Sequence, residues 1–466
     1  MRVTVVAMSL PFGFSMGNPD DPDGSGGMPS GFDMNSLGAA LQQLGAMMQS
    51  GQTGPGAADG PVNWAMVTDV ARKALVQAGD PSVSDAERRS VDEAMRLADL
   101  WLDPVVDFPA VAAVPQAWSR SEWLEATAPV WRQIVQPVAE QMQQAVGGAG
   151  SIDPANLQDQ LPEQLRAMLP EGGIPPEMAQ MLAPMLGMVQ QLGAAAFSMQ
   201  LGQALAALAG DVVSAGEIGI PLTQASQPAM LPRNIDAFAE GLGLPQDEVR
   251  LYIALREAAH QRLFAHVPWL RARVIGAIDE YARGVRVDPS RMQEAMEGVD
   301  MSDPMALQQL MGSGLLQPED TEEQRAAVAR LETLLALVEG WVDDVVDAAI
   351  AERLPSAAQM RETMRRRRAA GGPAERTFAS LVGMELRPRL AREAATVFAV
   401  VRAGRGVEAR DALWQHPDLL PGPDALADPL GFIETSTSEL EFVVPDDLSG
   451  LDGLDDGDGN GADGAS

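Results

Sequence analysis

From residue 61 onward, apolar residues recur at the three- and four-residue steps of an α-helix. In the first such stretch, Trp64, Val67 and Leu75 fall on one face. No run of alternating apolar and polar residues is long enough for a large sheet. The pattern therefore predicts a mostly α, multi-helix fold with little or no sheet. The expected helices span residues 63–77, 85–102, 118–146, 157–169, 178–208, 246–266, 267–284, 321–354, 356–369, 374–385, 388–402 and 407–415.

Two of these helices begin with a capping box. Ser84 stands three residues before Glu87, and Thr321 stands three residues before Gln324. In such a box the hydroxyl accepts a bond from the backbone three residues on, and the longer side chain bonds back to the start. Residues 218–231 are rich in turn-forming residues, and we expect a short extended piece there, as an edge strand beside the 246–266 helix.

Changes in composition divide the chain into three parts. Residues 1–60 are rich in Gly, Pro and Met and are expected to form a disordered N-terminal arm, in which 34–48 has helical spacing and could dock as a short helix. Residues 61–433 form the helical domain, either whole or divided into subdomains 61–210 and 232–433. Residues 434–466 are acidic and Gly-rich and are expected to form a disordered, solvated tail.

The overall charge and the absence of cysteine limit the function classes. A formal net charge of −32 disfavours binding to nucleic acid or to an anionic membrane. With no cysteine, the chain can form no disulfide, thiolate nucleophile or cysteine-ligated metal centre. The N-terminus is a poor signal peptide, and Pro, Gly and Gln interrupt the most apolar stretch, 178–208. We expect a soluble, cytoplasmic protein whose partners are peptides or proteins.

The segment Gln246–Leu270 carries the candidate chemistry. In a His-Glu-x-x-His helix the two histidines lie four residues apart and face one metal ion, while the glutamate acts as general base on metal-bound water. Here Glu257 and His260 occupy the positions of the base and of the second histidine, but Arg256 holds the first histidine position. A guanidinium has no lone pair to donate and repels a divalent cation.

Longer phrases around this helix point to a known family. They are PFGF at 11–14, FSMQLGQALAALAGDV at 197–212, GIPL at 219–222, PRNIDAF at 232–238, ALREAAHQRLFAHVPWLR at 254–271, LVEGWVDDVVDAA at 337–349 and GGPAERTFASLVGMELRPRLAREA at 371–394. By these phrases the chain resembles the zincin-like family of bacterial hydrolases, also described as zinc-dependent metalloproteases. The resemblance covers most of 11–433 except the 15–60 arm. Phrases of this length are specific, whereas a bare Glu-x-x-His is common by chance.

The resemblance implies a zincin-like metal hydrolase that cleaves peptide or amide bonds, with zinc as its cofactor. It implies that Glu257 is the general base and that His260 is a metal ligand. It also implies that Glu339, in the Glu-Gly pair of the long helix, is the third, carboxylate ligand. Arg256 departs from the family motif and argues against zinc binding and peptide hydrolysis, without affecting the fold.

Three arrangements of these residues are compatible with the sequence. In the first, a metal binds through His260, Glu339 and His266, although His266 lies about 240° around a regular helix from His260 and reaches the site only if the helix unwinds. In the second, the metal is gone and Arg256 takes its charge role, paired with Glu257 or Glu339. In the third, Arg256 and Glu257 face solvent and His260 is a core residue. The second and third describe a non-catalytic pseudo-metalloprotease that acts as a binding or scaffold protein.

Other polar groups have simpler interpretations. Glu339, Asp343 and Asp347 recur at steps of four, which is compatible with a solvated acidic stripe or a second metal site; the solvated stripe is the favoured expectation, with Asp344 also facing water. The arginine run at 361–368 contains no aromatic residue and is expected to pair with the protein's own carboxylates or its acidic tail. His416 could cap a helix end or act as a remote ligand, and the capping role is the favoured expectation.

Overall fold

The computed structural model describes residues 61–148, 176–284, 321–350, 353–369, 378, 390–429 and 431–432. The expected arm at 1–60 with its 34–48 helix, the 157–169 helix and the tail at 434–466 lie outside the described residues. The expected 374–385 helix lies outside them too, except for its residue 378.

Helices make up most of the described chain, and the prediction of a mostly α fold with very little sheet is confirmed. The described part contains twelve α-helices and two strands. The first helices are α1 (Trp64–Ala78), α2 (Asp85–Leu102), α3 (Arg120–Gly148), α4 (Pro176–Asp211), α5 (Pro232–Leu242) and α6 (Gln246–His266). The later ones are α7 (Trp269–Arg283), α8 (Glu322–Ile350), α9 (Ala357–Ala369), α10 (Ala391–Arg405), α11 (Val407–Ala412) and α12 (Pro423–Ala427). The strands are β1 (Gln116–Ala117) and β2 (Ala229–Met230), and 3₁₀ turns span Asp103–Val105 and Pro417–Leu419. None of the described helices has a long enough apolar stretch to span a membrane.

Local signals determine where several helices begin. Both bonds of the Ser84–Glu87 capping box are present at the start of α2. At the start of α8, Thr321 N donates to Gln324 Oε1 at 3.0 Å and Gln324 N donates to Thr321 Oγ1 at 3.1 Å. His416 accepts from Asp418 N at 3.3 Å and caps the Pro417–Leu419 turn. These predicted caps are therefore confirmed.

Helices α6 and α8 form the middle of the helical assembly. Helix α6 packs against α2, α5, α8, α9 and β2, and α8 also packs against α7 and α10. Both helices are buried around most of their circumference, polar residues included. The contact between α8 and α10 is close at Gly340, where an added Cβ would lie 2.5 Å from Ala394 Cβ and 2.6 Å from Ala395 N. This position has no room for a side chain.

The strands form a small layer beside α6. Strand β1 pairs with β2 in parallel. On the other side of β2, Ala215 N donates to Ala229 O and Leu231 N donates to Val213 O. The extended piece expected within 218–231 is thus present, but its description as an edge strand is wrong. Its backbone is bonded on both sides, because the segment before it folds back beside it.

A buried ionic network joins α8 to the C-terminal helices. Arg410 donates to Asp344 Oδ2 at 3.0 Å and to its neighbour Asp411 at 2.7 Å. Arg402 of α10 also pairs with Asp344, and Trp341 Nε1 donates to Asp411. The expectation that Asp344 faces water is wrong, because α10 and α11 cover this side of α8 and bring two guanidinium groups to it.

Candidate active site

The candidate site lies where α6 faces α8. Arg256 and His260 are four residues apart and point to the same side of α6. Glu339 and Asp343 have the same spacing on α8 and point toward them. All four side chains are buried. The structure thus brings together the candidate residues Arg256, His260 and Glu339. It adds Asp343, which was expected to lie in a solvated stripe.

Arg256 bridges the two carboxylates of α8. Its Nη2 donates to Glu339 Oε2 and its Nη1 donates to Asp343 Oδ1, each at 2.6 Å. Only 4% of Arg256 is exposed. Burial alone would lower the pKa of the guanidinium, but Asp343 and Glu339 outweigh that effect and raise the pKa above its ordinary value. Arg256 is therefore a permanent cation at the position where the family motif has a histidine.

The imidazole ring of His260 is held by one contact at each of its two nitrogens. Its Nδ1 lies 2.9 Å from Arg256 O, one turn earlier in α6. Its Nε2 lies 3.1 Å from Glu339 Oε1. The backbone contact through Nδ1 fixes the plane of the ring. Nε2 is consequently the atom that His260 presents to α8.

Glu257 faces a different part of the protein. Its Oε2 accepts from Gly216 N at 2.7 Å, and its Oε1 accepts from Ala229 N at 3.1 Å and from Gln261 Nε2 at 2.9 Å. Gly216 is required here, since a Cβ at that position would lie 2.8 Å from His260 Cβ and 2.9 Å from Glu257 Oε2. Burial raises the pKa of the Glu257 carboxyl, against the lowering effect of the bond from Ala229. The carboxylate of Glu257 therefore holds α6 to β2 and to the segment that precedes it.

Glu339 is the point where the charges of the site meet. Burial would raise the pKa of its carboxyl, but Arg368, His260 and Arg256 lower it from an ordinary value of 4.5 to about 2. Gly219, which adopts a φ of +71°, closes the other side, because a Cβ there would lie 3.2 Å from Glu339 Oε1. Glu339 is thus an ionised carboxylate at neutral pH, enclosed by cations and backbone.

This lowered pKa predicts acid sensitivity of the fold. A carboxyl whose folded-state pKa is depressed stabilises the protein fully above its unfolded pKa, and this contribution is lost as pH falls through the folded pKa. From pH 4.5 to about 2, Glu339 is expected to contribute a loss of about 3 kcal/mol of unfolding free energy. Urea titrations across this range should show a shallower pH slope for Glu339→Gln than for the native chain. Equal slopes would contradict the assignment.

The expected solvated acidic stripe is wrong for Glu339 and Asp343. Both are buried, because α9 lies over this part of α8 and supplies arginines to it. Arg365 Nε lies 3.5 Å from Asp343 Oδ2, and Arg361 Nε lies 2.7 Å from Asp347 Oδ1. The expectation that the arginine run pairs with the protein's own carboxylates agrees with these contacts. In the sequence, the four-residue spacing of the acidic residues and the arginine run at 361–368 indicated that these groups could pair. Neither feature indicated that Glu339 and Asp343 are buried.

The donors of this site do not fit a zinc ion. Zinc sites in zincins use three protein ligands and leave a position for water, whereas here a guanidinium bonds to the oxygen of the candidate carboxylate ligand. Helix α6 continues to His266, so the unwinding that would bring His266 to the site does not occur. His266 stacks on Phe108 instead, with ring centroids 5.6 Å apart. Among the described residues, no three His, Cys, Asp or Glu side chains are arranged to hold a metal.

The site is thus formed by a Glu-x-x-His helix, α6, that faces the carboxylate-bearing helix α8. Residues 62–433 match the family of zincin-like metallopeptidases, and the chain belongs to that family. A similar fold occurs in the crystal structure of "a putative hydrolase with a novel fold" from Chloroflexus aurantiacus, with a TM-score of 0.55 at 18% sequence identity. The similarity covers 81% of this chain and 99% of that one. No curated protein matches the chain.

Proposed function

We propose that this protein is a zincin-like hydrolase relative in which an ionic cluster replaces the metal centre. In this proposal zinc-dependent hydrolysis of peptide bonds is lost or strongly weakened, and the fold serves as a non-catalytic binding or scaffold protein. The observation that carries the proposal is the position of the Arg256 guanidinium, bonded at 2.6 Å to both Glu339 and Asp343.

The charge balance of a buried site explains why an arginine suits this position. Buried carboxylates without a counter-charge are costly, and a site that loses its metal leaves Glu339 and Asp343 in that state. A guanidinium restores the charge and also donates hydrogen bonds in a planar fork. It cannot act as a ligand, because it has no free lone pair. The substitution therefore preserves the folded site while removing the metal chemistry.

The competing function is a zinc hydrolase with His260 and Glu339 as ligands and Glu257 as general base. One observation favours it, since His260 Nε2 and Glu339 Oε1 still face each other at 3.1 Å. Two observations oppose it. Arg256 occupies the side of Glu339 where a third ligand is needed, and the Glu257 carboxylate is bonded to the backbone of Gly216 and Ala229.

A binding role requires a surface that accepts a partner. A cavity of about 290 Å³ opens between α2, residues 111–115 and α6, where Ala258 and Gln261 form part of the wall. Its lining combines apolar side chains with the charged residues Asp92, Arg96 and Asp99. This size and lining suit a side chain of a bound peptide or protein, in agreement with a net charge of −32 that disfavours nucleic acid.

Metal content tests the proposal. After purification without chelator and incubation with equimolar zinc, the desalted protein is expected to hold well below one zinc per chain and to leave a mixed peptide library uncleaved. His260→Ala should change neither result, and His266→Ala provides a matched control at an exposed histidine of the same helix. One zinc per chain that is lost in His260→Ala, but kept in His266→Ala, would overturn the proposal.

A further inference from the structure

We propose that two guanidinium groups stand in the place of the metal, and that the second is Arg368 of α9. This inference rests on the proposed function and adds a second residue that keeps zinc out. It assigns α9 the role of a helix that closes the former metal site from outside.

The contacts of Arg368 place it at the same carboxylate oxygen as Arg256. Its Nη2 forms an ion pair with Glu339 Oε2, the oxygen that also accepts from Arg256 Nη2. Its Nη1 lies 3.8 Å from Asp343 Oδ1, which accepts from Arg256 Nη1. Arg368 is largely buried. Both guanidinium groups therefore share the same two carboxylates.

The charges of the cluster explain why one arginine is insufficient. Glu339 and Asp343 together carry two negative charges, and Arg256 supplies only one positive charge. Arg368 supplies the second, so that these four buried side chains together are neutral. The more exposed Arg365, with Nε 3.5 Å from Asp343 Oδ2, is a further cation beside the group. A divalent cation would give the same balance with these carboxylates, and the pair of arginines is its equivalent in charge.

The remaining contacts of α9 hold Arg368 in position. Arg361 pairs with Asp347, and Arg367 Nε lies 3.0 Å from Glu217 Oε1. The side chains of Met360 and Met364 are buried beneath the helix. These contacts fix the position of α9, so the helix cannot simply turn and carry Arg368 away from Glu339. The positive charge of Arg368 therefore remains at the site when Arg256 alone is replaced.

This arrangement predicts that rebuilding the histidine motif is insufficient for zinc binding. Arg256→His would create the His-Glu-x-x-His spacing, but Arg368 would still occupy the ligand oxygen of Glu339 and repel the ion. R256H/R368Q should bind zinc at least about tenfold more tightly than R256H, measured by competition with a chromogenic chelator. R256H/R368K retains the positive charge and should show no such gain. R256H/R366Q is the matched control, because Arg366 is on the same helix, is 79% exposed and pairs only with the neighbouring-turn Glu362 among the contacts described for it.

Equal zinc affinity of R256H and R256H/R368Q would overturn the role of Arg368, as would failure of the double variant to bind zinc. If a variant is unfolded without metal, the recovery of helical circular dichroism on zinc addition is the corresponding measurement, since binding to the folded state alone stabilises it. Zinc-dependent recovery of both variants at the same concentration would again overturn the inference. The zinc content of the native chain tests the proposed function separately, so a failure of the role of Arg368 can be distinguished from a failure of the proposed function.

Discussion

Replacing Arg410 with methionine is expected to lower the free energy of unfolding by about 3 kcal/mol. Arg410 is completely buried and donates to Asp344, to Asp411 and, at 2.8 Å, to Val105 O. Methionine fills similar space but leaves these acceptors without that charge. Breaking a buried ion pair costs about 3–5 kcal/mol of unfolding free energy. We expect the lower value here, because Arg402 continues to pair with Asp344. Urea unfolding followed by tryptophan fluorescence measures the change.

The control for this prediction is Arg96→Met. Arg96 is also an arginine with an acidic partner, but its side chain is 73% exposed and its partner Asp92 is one turn away on α2. Exposed pairs of this kind contribute about 0.3–0.5 kcal/mol. If Arg410→Met and Arg96→Met had similarly small effects, the C-terminal network would not stabilise the fold as the contacts indicate.

Replacing Arg256 with methionine is expected to cost about 3–5 kcal/mol of unfolding free energy. The substitution leaves Glu339 and Asp343 buried with Arg368 and, at 3.5 Å from Asp343 Oδ2, the partly exposed Arg365 as the remaining arginines near them. The cost should be partly relieved by Asp343→Asn in the same chain, because that change removes one of the two buried carboxylate charges that Arg256 had balanced. We expect a coupling of about 1–3 kcal/mol between the two substitutions in a double-mutant cycle measured by urea unfolding.

Arg250→Met is the matched control for this cycle. Arg250 lies on α6 as well, and it pairs with the partly exposed Asp236 and the exposed Asp247. The Arg250 side chain is only 15% exposed, but both of its partners reach water, so its replacement should cost less than Arg256→Met and should show no coupling to Asp343→Asn. Additive effects of Arg256→Met and Asp343→Asn on the free energy of unfolding would contradict the prediction, because they would show that the interaction between the two side chains does not stabilise the fold.

Sequence information predicted the helices well, because their signals are local. The capping pairs Ser84–Glu87 and Thr321–Gln324 span three residues, and the apolar period repeats within each helix. The strand pairing was only partly predicted, since β2 contains two residues and such a length leaves no alternation to detect.

Only part of the membership of the candidate site was predicted from the sequence, and its buried environment was not. Arg256, His260 and Glu339 were identified from the motif and the family phrases, whereas the burial of Asp343 and Asp344 was missed. The reason is that α8 is enclosed on nearly all sides, so that a polar residue outside the apolar stripe does not imply contact with water. Its partners Arg368 and Arg410 come from α9 and from the start of α11, and no periodicity within α8 reveals helices that arrive later in the chain.

The hydrogen bonds from Gly216 N and Ala229 N to the Glu257 carboxylate affect how the sequence motif can be interpreted. A glutamate that satisfies buried backbone donors is needed by the folded chain whether or not any bond is ever cleaved there. Such a glutamate can therefore be retained for its structural role alone. In this chain, therefore, the presence of Glu257 and His260 does not by itself indicate peptidase activity, and the proposed loss of zinc chemistry depends on Arg256 immediately before them.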